Sequence, residues 1–221
     1  MKLQIIIGST RQGRNADLVM RWLTPAVTAM GLFDVEVLDL RDWPLPMFQE
    51  TLATVGDMQN PTYSDPIVKR WNAKIKEADA FVMVTPEYNH SVPGVLKNAI
   101  DSVFASFAFR HKPVAFVSYS GGIAAGVRAN EHLNVIMLEC DAVPVRTQTI
   151  IPAVTTAFGA DGKVTVPAID VGLGIMIEDL AWLAKPLKAA RAEGEPLPPT
   201  LRLRQRVAAL AKQCPRRPAG G

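Results

Sequence analysis

The sequence predicts an α/β protein: a doubly wound, five-stranded parallel sheet with helices on both faces. Two observations predict it. Short apolar runs bounded by turns alternate along the chain with stretches of helical period, and the first run, Leu3 to Ile7, is apolar on both sides but for Gln4. Strands that alternate with helices join through right-handed crossovers into a parallel sheet, and a strand apolar on both sides belongs inside one.

Each element follows in order. After the strand Leu3–Ile7, residues 15–30 carry Leu18, Val19, Trp22, Leu23 and Val27 near a 3.6-residue period, with Asn15 as a plausible N-cap. Residues 35–40 mix apolar and acidic side chains and read as a more exposed second strand. A long loop holding Trp43-Pro44-Leu45-Pro46-Met47-Phe48 follows, and residues 63–78 read as a helix with Ser64 as cap and Pro66 in its first turn. Residues 80–85 form the third strand, 93–104 a helix that opens on Pro93, and 114–119 the fourth strand. A helix over 126–140 leads to a fifth strand at 145–150, and a closing helix spans 169–192, kinked or broken by Pro186.

The totals narrow the function. Length and composition fit one domain, or one domain plus an appendage: 221 residues, 48% hydrophobic and 20% charged. No apolar run reaches the ~20 residues of a membrane span, and residues 1–7 read as a strand rather than a signal peptide. Cys140 and Cys214 are far apart and offer neither a disulfide framework nor a metal site. A cytosolic protein with no membrane partner is expected. The net charge of +3 hides a division: six basic and no acidic residues follow Glu195, leaving 18 basic against 21 acidic before it. Residues 1–194 are therefore expected as the folded domain and 195–221 as a Pro-rich basic extension with one short helix over 201–212 and a disordered end at 215–221. Basic residues on such an extension do not by themselves predict nucleic-acid binding.

In a sheet of this kind ligands bind outside the carboxyl ends of the strands. The first such loop is Gly8-Ser9-Thr10-Arg11-Gln12-Gly13-Arg14-Asn15, running into a helix. Free N–H groups at a helix start suit an anion; Ser9, Thr10 and Asn15 add hydrogen bonds, and Arg11 and Arg14 add charge. The competing reading is a surface turn with solvated arginines. Thr10 stands where the dinucleotide fingerprint needs its second glycine, so Asp39 is read as structural rather than ribose-binding. Arg14 and Asn15 replace the Lys and Ser/Thr of a P-loop, which disfavours nucleotide hydrolysis.

The third strand runs into Pro86-Glu87-Tyr88-Asn89, and the fourth into Ser120-Gly121-Gly122. Together with Gly8-Ser9-Thr10-Arg11, these residues resemble the NADPH-dependent FMN reductase family of quinone, chromate and azo reductases, over about residues 3–155. The resemblance implies a flavodoxin-like fold and FMN as cofactor. It places the flavin phosphate on Ser9, Arg11, Arg14 and Asn15, and the ring between Pro86, Glu87, Tyr88 and Asn89 and the loop Ser120, Gly121 and Gly122. It further implies NADPH or NADH as reductant, a small-molecule acceptor (quinone, azo dye, chromate or free flavin), and a homodimer or homotetramer built with the Trp43–Phe48 loop. Tyr88 offers an aromatic wall to position substrate, and no residue is required as acid or base, because the flavin carries the electrons. Glu87 can equally serve only to pin the loop. The rival class is a flavodoxin-like FMN-binding carrier or regulatory module that does not turn over.

Overall fold

The computed structural model describes residues 1–57 and 60–213. Cys214 and the stretch 215–221, expected to be disordered, lie outside the described residues. Among these, strands β1 (Lys2–Ile7), β2 (Asp34–Asp39), β3 (Ala80–Pro86) and β4 (Pro113–Tyr119) are parallel, and two short strands, β5 (Val143–Pro144) and β6 (Thr149–Ile151), both pair with β4. The order β2-β1-β3-β4-β5 is that of the flavodoxin-like sheet.

Successive side chains of a strand point to opposite faces, and both faces here are covered. Leu3, Ile5 and Ile7 of β1, Ala80, Val82 and Val84 of β3, and Ala115 and Val117 of β4 pack against helices α1 (Ala16–Ala29) and α6 (Pro167–Glu193). The intervening Ile6, Phe81, Met83, Val114 and Phe116 pack against α3 (Pro66–Lys76), α4 (Gly94–Asp101) and α5 (Val127–Glu139), beyond the short α2 (Leu52–Val55). Each large side chain buried this way contributes about 1.5–3 kcal/mol.

Four local expectations change. The fifth strand is not one run over 145–150 but β5 and β6. The register advances from Val114↔Pro144 to Val117↔Thr149, three residues on β4 against five on its neighbour, so the extra residues bulge out. The cap of α3 is Asp65, whose carboxylate accepts from the Ile67 amide at 2.8 Å; Ser64 instead binds the Glu50 carboxylate through its amide and hydroxyl. Asn15 sits at the N-cap position of α1, but its side chain makes no capping bond. Pro186 does not break α6: it lies on the exposed face, where water can serve the carbonyl its missing N–H leaves free.

At the amino end of the sheet, Lys112 is buried, with its Nζ donating to the Ile75 and Lys76 carbonyls at 3.0 Å. Burial, reinforced by the Arg191 charge, pushes its pKa down to about 7 from 10.5. The unfolded chain therefore holds more protons than the folded one between those values, so this group makes stability rise with pH above 7, by up to about 1.4 kcal/mol per unit. Burial also raises the Cys140 thiol to about 11 from 9.0, which opposes the rise above pH 9. Denaturant unfolding at pH 7, 8 and 9 should show the increase, and Lys112→Met should remove it. A profile equally steep in the variant would contradict the assignment.

Candidate active site

Strand order reverses between β1 and β3, and the loops that leave the carboxyl ends of β1, β3 and β4 converge there. Gly8 makes the first loop possible. A Cβ at this position would sit 2.7 Å from Leu96 Cδ2 and 3.1 Å from the Val84 carbonyl, so only glycine lets the chain turn so close to β3. Among the described residues the backbone N–H groups of residues 10–13 meet no acceptor, Gln12 and Gly13 form a turn, and α1 begins shortly after at Ala16. Thr10, Arg11 and Gln12 are exposed and Asn15 is half-buried with its side chain uncommitted to the cap. Such an arrangement can accept an anion.

The two arginines of the loop part company. Arg11 is exposed, and its guanidinium lies 5.6 Å from the centre of the Tyr88 ring, spanning the first and third loops. Arg14, expected beside it at the phosphate, is turned inward and only 6% exposed. Its Nε donates to Asp17 at 2.9 Å, Nη1 to the Ser9 carbonyl and to Asp39 at 2.7 Å, and Nη2 to Asp39; Nη2 also lies 2.8 Å from the Asp17 carboxylate as an ion pair. Four of the five guanidinium N–H groups donate to these partners, and with the side chain buried Arg14 shapes the loop from beneath. Burial opposes the charge on Asp39, yet Arg14 and the Arg41 amide at 3.0 Å hold its carboxyl below the ordinary range. Asp39 is thus structural, in line with the missing glycine. Arg41, which sequence reasoning did not single out, adds a brace: its side chain donates to the Thr10 and Arg11 carbonyls and lies 3.6 Å from Asp17.

The loop after β3 turns back at once. Tyr88 and Ser91 exchange backbone hydrogen bonds at 2.9 and 3.1 Å, while Asn89 (φ 49°) and His90 (φ 70°) take the left-handed conformation that a tight hairpin turn requires. The Tyr88 hydroxyl lies 2.8 Å from the buried Ser9 Oγ, which ties this turn to the cradle. Pro86 closes β3 in full burial. The Glu87 side chain is buried and pairs with Arg128 of α5, a contact that pins the loop. Arg128 also reaches His90 Nδ1 at 3.2 Å, and Ser91 Oγ lies 2.7 Å from His132 Nδ1. Nothing in the sequence marked Arg128, since its partner stands 41 residues away.

The loop after β4 supplies the opposite wall. The Ser120 hydroxyl donates to the Gly122 carbonyl at 3.0 Å, and the segment past β6 braces the loop through Val154 N to Ser120 O at 3.0 Å and Ala153 N to Gly122 O at 3.3 Å. Gly121 and Gly122 are exposed, and a Cβ on either would meet nothing within 4 Å, which leaves their backbone open to a flat ligand. Tyr119, the last residue of β4, is buried with a hydroxyl that has no partner among the described residues. Burial holds its pKa well above the usual phenol range. In the sequence Tyr119 reads only as a strand residue, although its place directly before Ser120-Gly121-Gly122 marks it.

An anion cradle on β1, an aromatic turn on β3 and an open glycine wall on β4 fit a phosphorylated, planar cofactor such as FMN, and define a flavoprotein of flavodoxin-like fold. The chain belongs to the NADPH-dependent FMN reductase family, which residues 1–156 match. It is 38% identical over 120 residues to an NAD(P)H-dependent FMN reductase of Schizosaccharomyces pombe, a match that covers 54% of this chain and 58% of that one. It is 34% identical over 146 residues to the quinone reductase of Escherichia coli, covering 64% and 73% of the two chains. Among solved structures it resembles FerB, a flavoenzyme NAD(P)H:(acceptor) oxidoreductase of Paracoccus denitrificans, with 26% identity and a TM-score of 0.64 over 83% of this chain and 97% of that one. It is accordingly an oxidoreductase that uses FMN with NADPH or NADH as reductant.

Proposed function

We propose that this chain passes electron pairs from NAD(P)H to a quinone-like acceptor at one shared site. Bound FMN supplies the two-electron carrier, and the protein supplies binding and orientation. The amides of 10–13, with Ser9, Thr10, Arg11 and Asn15, hold the phosphate. Pro86 and Asn89 meet the polar edge of the ring, Ser120, Gly121 and Gly122 lie along its other side, and Tyr88 positions the incoming partner. Glu87 and Arg14 support these loops without touching the ligand.

One observation carries the shared site. The first loop and the turn after β3 are joined through Ser9 and Tyr88, the Gly121-Gly122 backbone stands open, and the sequence has no dinucleotide fingerprint for a separate nicotinamide site. Nicotinamide and acceptor then occupy the same place in turn. Initial rates with NADPH and a soluble benzoquinone should give parallel double-reciprocal lines, each substrate inhibiting at high concentration. Anaerobic NADPH alone should bleach the yellow protein. Intersecting lines, or bleaching only once a quinone is present, would show two simultaneous sites. The chain's relatives include a quinone reductase and an FMN-dependent NADPH-azoreductase, so quinones and azo dyes are the first acceptors to assay.

The same reading makes the working unit a homodimer in the cytosol, with residues 1–194 as the flavin domain. The Trp43–Phe48 loop is fixed on its own body by Asn98, whose side chain accepts from the Phe48 amide at 2.7 Å and donates to the Pro46 carbonyl at 2.9 Å. Its tip is bare: Met47 is 77% exposed, and Phe48 stacks edge-on against the exposed Phe104. Phe104 borders an apolar groove of about 450 Å³ between α4 and α5, with Val135 and Cys140 on its far side. A second subunit would cover this surface. Light scattering at micromolar concentration should report twice the chain mass; a monomer there contradicts the assembly.

A further inference from the structure

The C-terminal helix α7 (Pro199–Gln213) carries a surface that the redox site does not use. Its stem is fixed to the body: Arg110 donates to the Pro196 carbonyl at 2.6 Å and the Leu197 carbonyl at 3.3 Å, and His111 Nδ1 lies 2.7 Å from the Glu195 carboxylate. Leu201 is half-buried, and residues 202–211 beyond it are all exposed. Leu203, Val207 and Leu210 are 63%, 55% and 65% exposed and stand at the i, i+4, i+7 spacing that aligns them in one stripe. Arg204 falls on one side of the stripe, and Arg206 with Arg202 on the other. The helix has no acidic residue, and neither does any position after Glu195.

We infer that α7 docks on an anionic lipid surface, with Leu203, Val207 and Leu210 at the headgroup–acyl boundary and Arg202, Arg204 and Arg206 on the lipid phosphates. An apolar stripe flanked on both sides by arginines matches that boundary, because the long side chains reach back to the headgroups while their stems cover apolar surface. A nucleic-acid duplex would use the charges but leave the stripe in water. The helix lies on the bilayer and does not cross it: among the described residues no helix is long and apolar enough to span. The rest of the chain, with 18 basic and 21 acidic residues before the extension, offers an anionic surface no comparable attraction, so α7 sets the orientation. Its stem meets the body at Arg110 and His111, just before β4 begins, at the end of the sheet opposite the site. Docked this way, the flavin mouth opens to water.

The test is sedimentation of the full-length flavoprotein with vesicles of phosphatidylcholine plus phosphatidylserine, and with phosphatidylcholine alone. Binding to the anionic vesicles should be at least ~10-fold tighter and should weaken as salt rises. Each Arg→Gln change at 202, 204 or 206 should weaken it about fivefold. Leu203→Ala, Val207→Ala and Leu210→Ala together keep helix propensity and should weaken binding by more than ~10-fold. Turnover in solution should not move in any variant. Three results would overturn the inference: no sedimentation with anionic vesicles, binding indifferent to the alanine changes, or an oligomer in light scattering that those changes dissolve, which would make a second copy the occupant. Competition by a DNA duplex that leaves the alanine variant bound as tightly as the parent would equally assign the helix to nucleic acid.

Discussion

Arg14→Ala is expected to destabilise the protein by about 3 kcal/mol, the low end of what breaking a buried ion pair costs, since Asp39 keeps some solvent contact. The change removes every hydrogen bond that joins Asp39, Asp17 and the Ser9 carbonyl beneath the first loop. It leaves the Asp39 carboxylate beside a void with its backbone bond from Arg41 as the remaining support. For a chain of this size the loss corresponds to a melting temperature lower by roughly 6–12 °C. Arg14→Met with Asp39→Leu, which removes both charges, should recover much of it. A single variant that melts within a degree or two of the parent would show that the pair is not a structural post, and would return Arg14 to the ligand side of the loop.

Arg11→Ala should do the reverse. Arg11 is exposed, and its guanidinium rests over the Tyr88 ring, so stability should change by no more than about 0.5 kcal/mol. A charge-assisted contact to a phosphate is worth about 1.5–3 kcal/mol, so the FMN dissociation constant should rise roughly ten- to a hundredfold. Two arginines three positions apart are thus predicted to fail in different experiments, one in the melt and one in the titration. The division comes from burial alone.

That division also marks where reading the sequence stops. The strands β1, β3 and β4 were legible because each is a short apolar run, and a sheet covered on both faces leaves that signature whatever its order. The three ligand loops were legible because glycine, proline and asparagine at strand ends announce turns. Arg14 was read as a phosphate ligand and not as buried, because its partner, Asp39, lies 25 residues away on the neighbouring strand and nothing local distinguishes an arginine that turns inward. Ser64 and Asp65 are both good caps, and the choice between them was made by Glu50, which claims the serine. The split of the fifth strand depends on how β5 and β6 register on β4, a property of the pairing rather than of either segment. Arg128 and Arg41 hold loops from elements remote in sequence, and such braces appear only once the fold brings the elements together.

The central claim is that the first loop grips the cofactor by its 5′-phosphate. The measurement that tests it most directly is a titration of apoprotein with FMN and with riboflavin, which has the same ring and lacks the phosphate, in the parent chain and in Arg11→Ala. Several charge-assisted hydrogen bonds converging on one phosphate predict that FMN binds at least ~100-fold tighter than riboflavin in the parent, and that the gap narrows ten- to a hundredfold in the variant while riboflavin affinity stays put. Equal affinities for the two ligands, or a gap untouched by Arg11→Ala, would contradict the cradle.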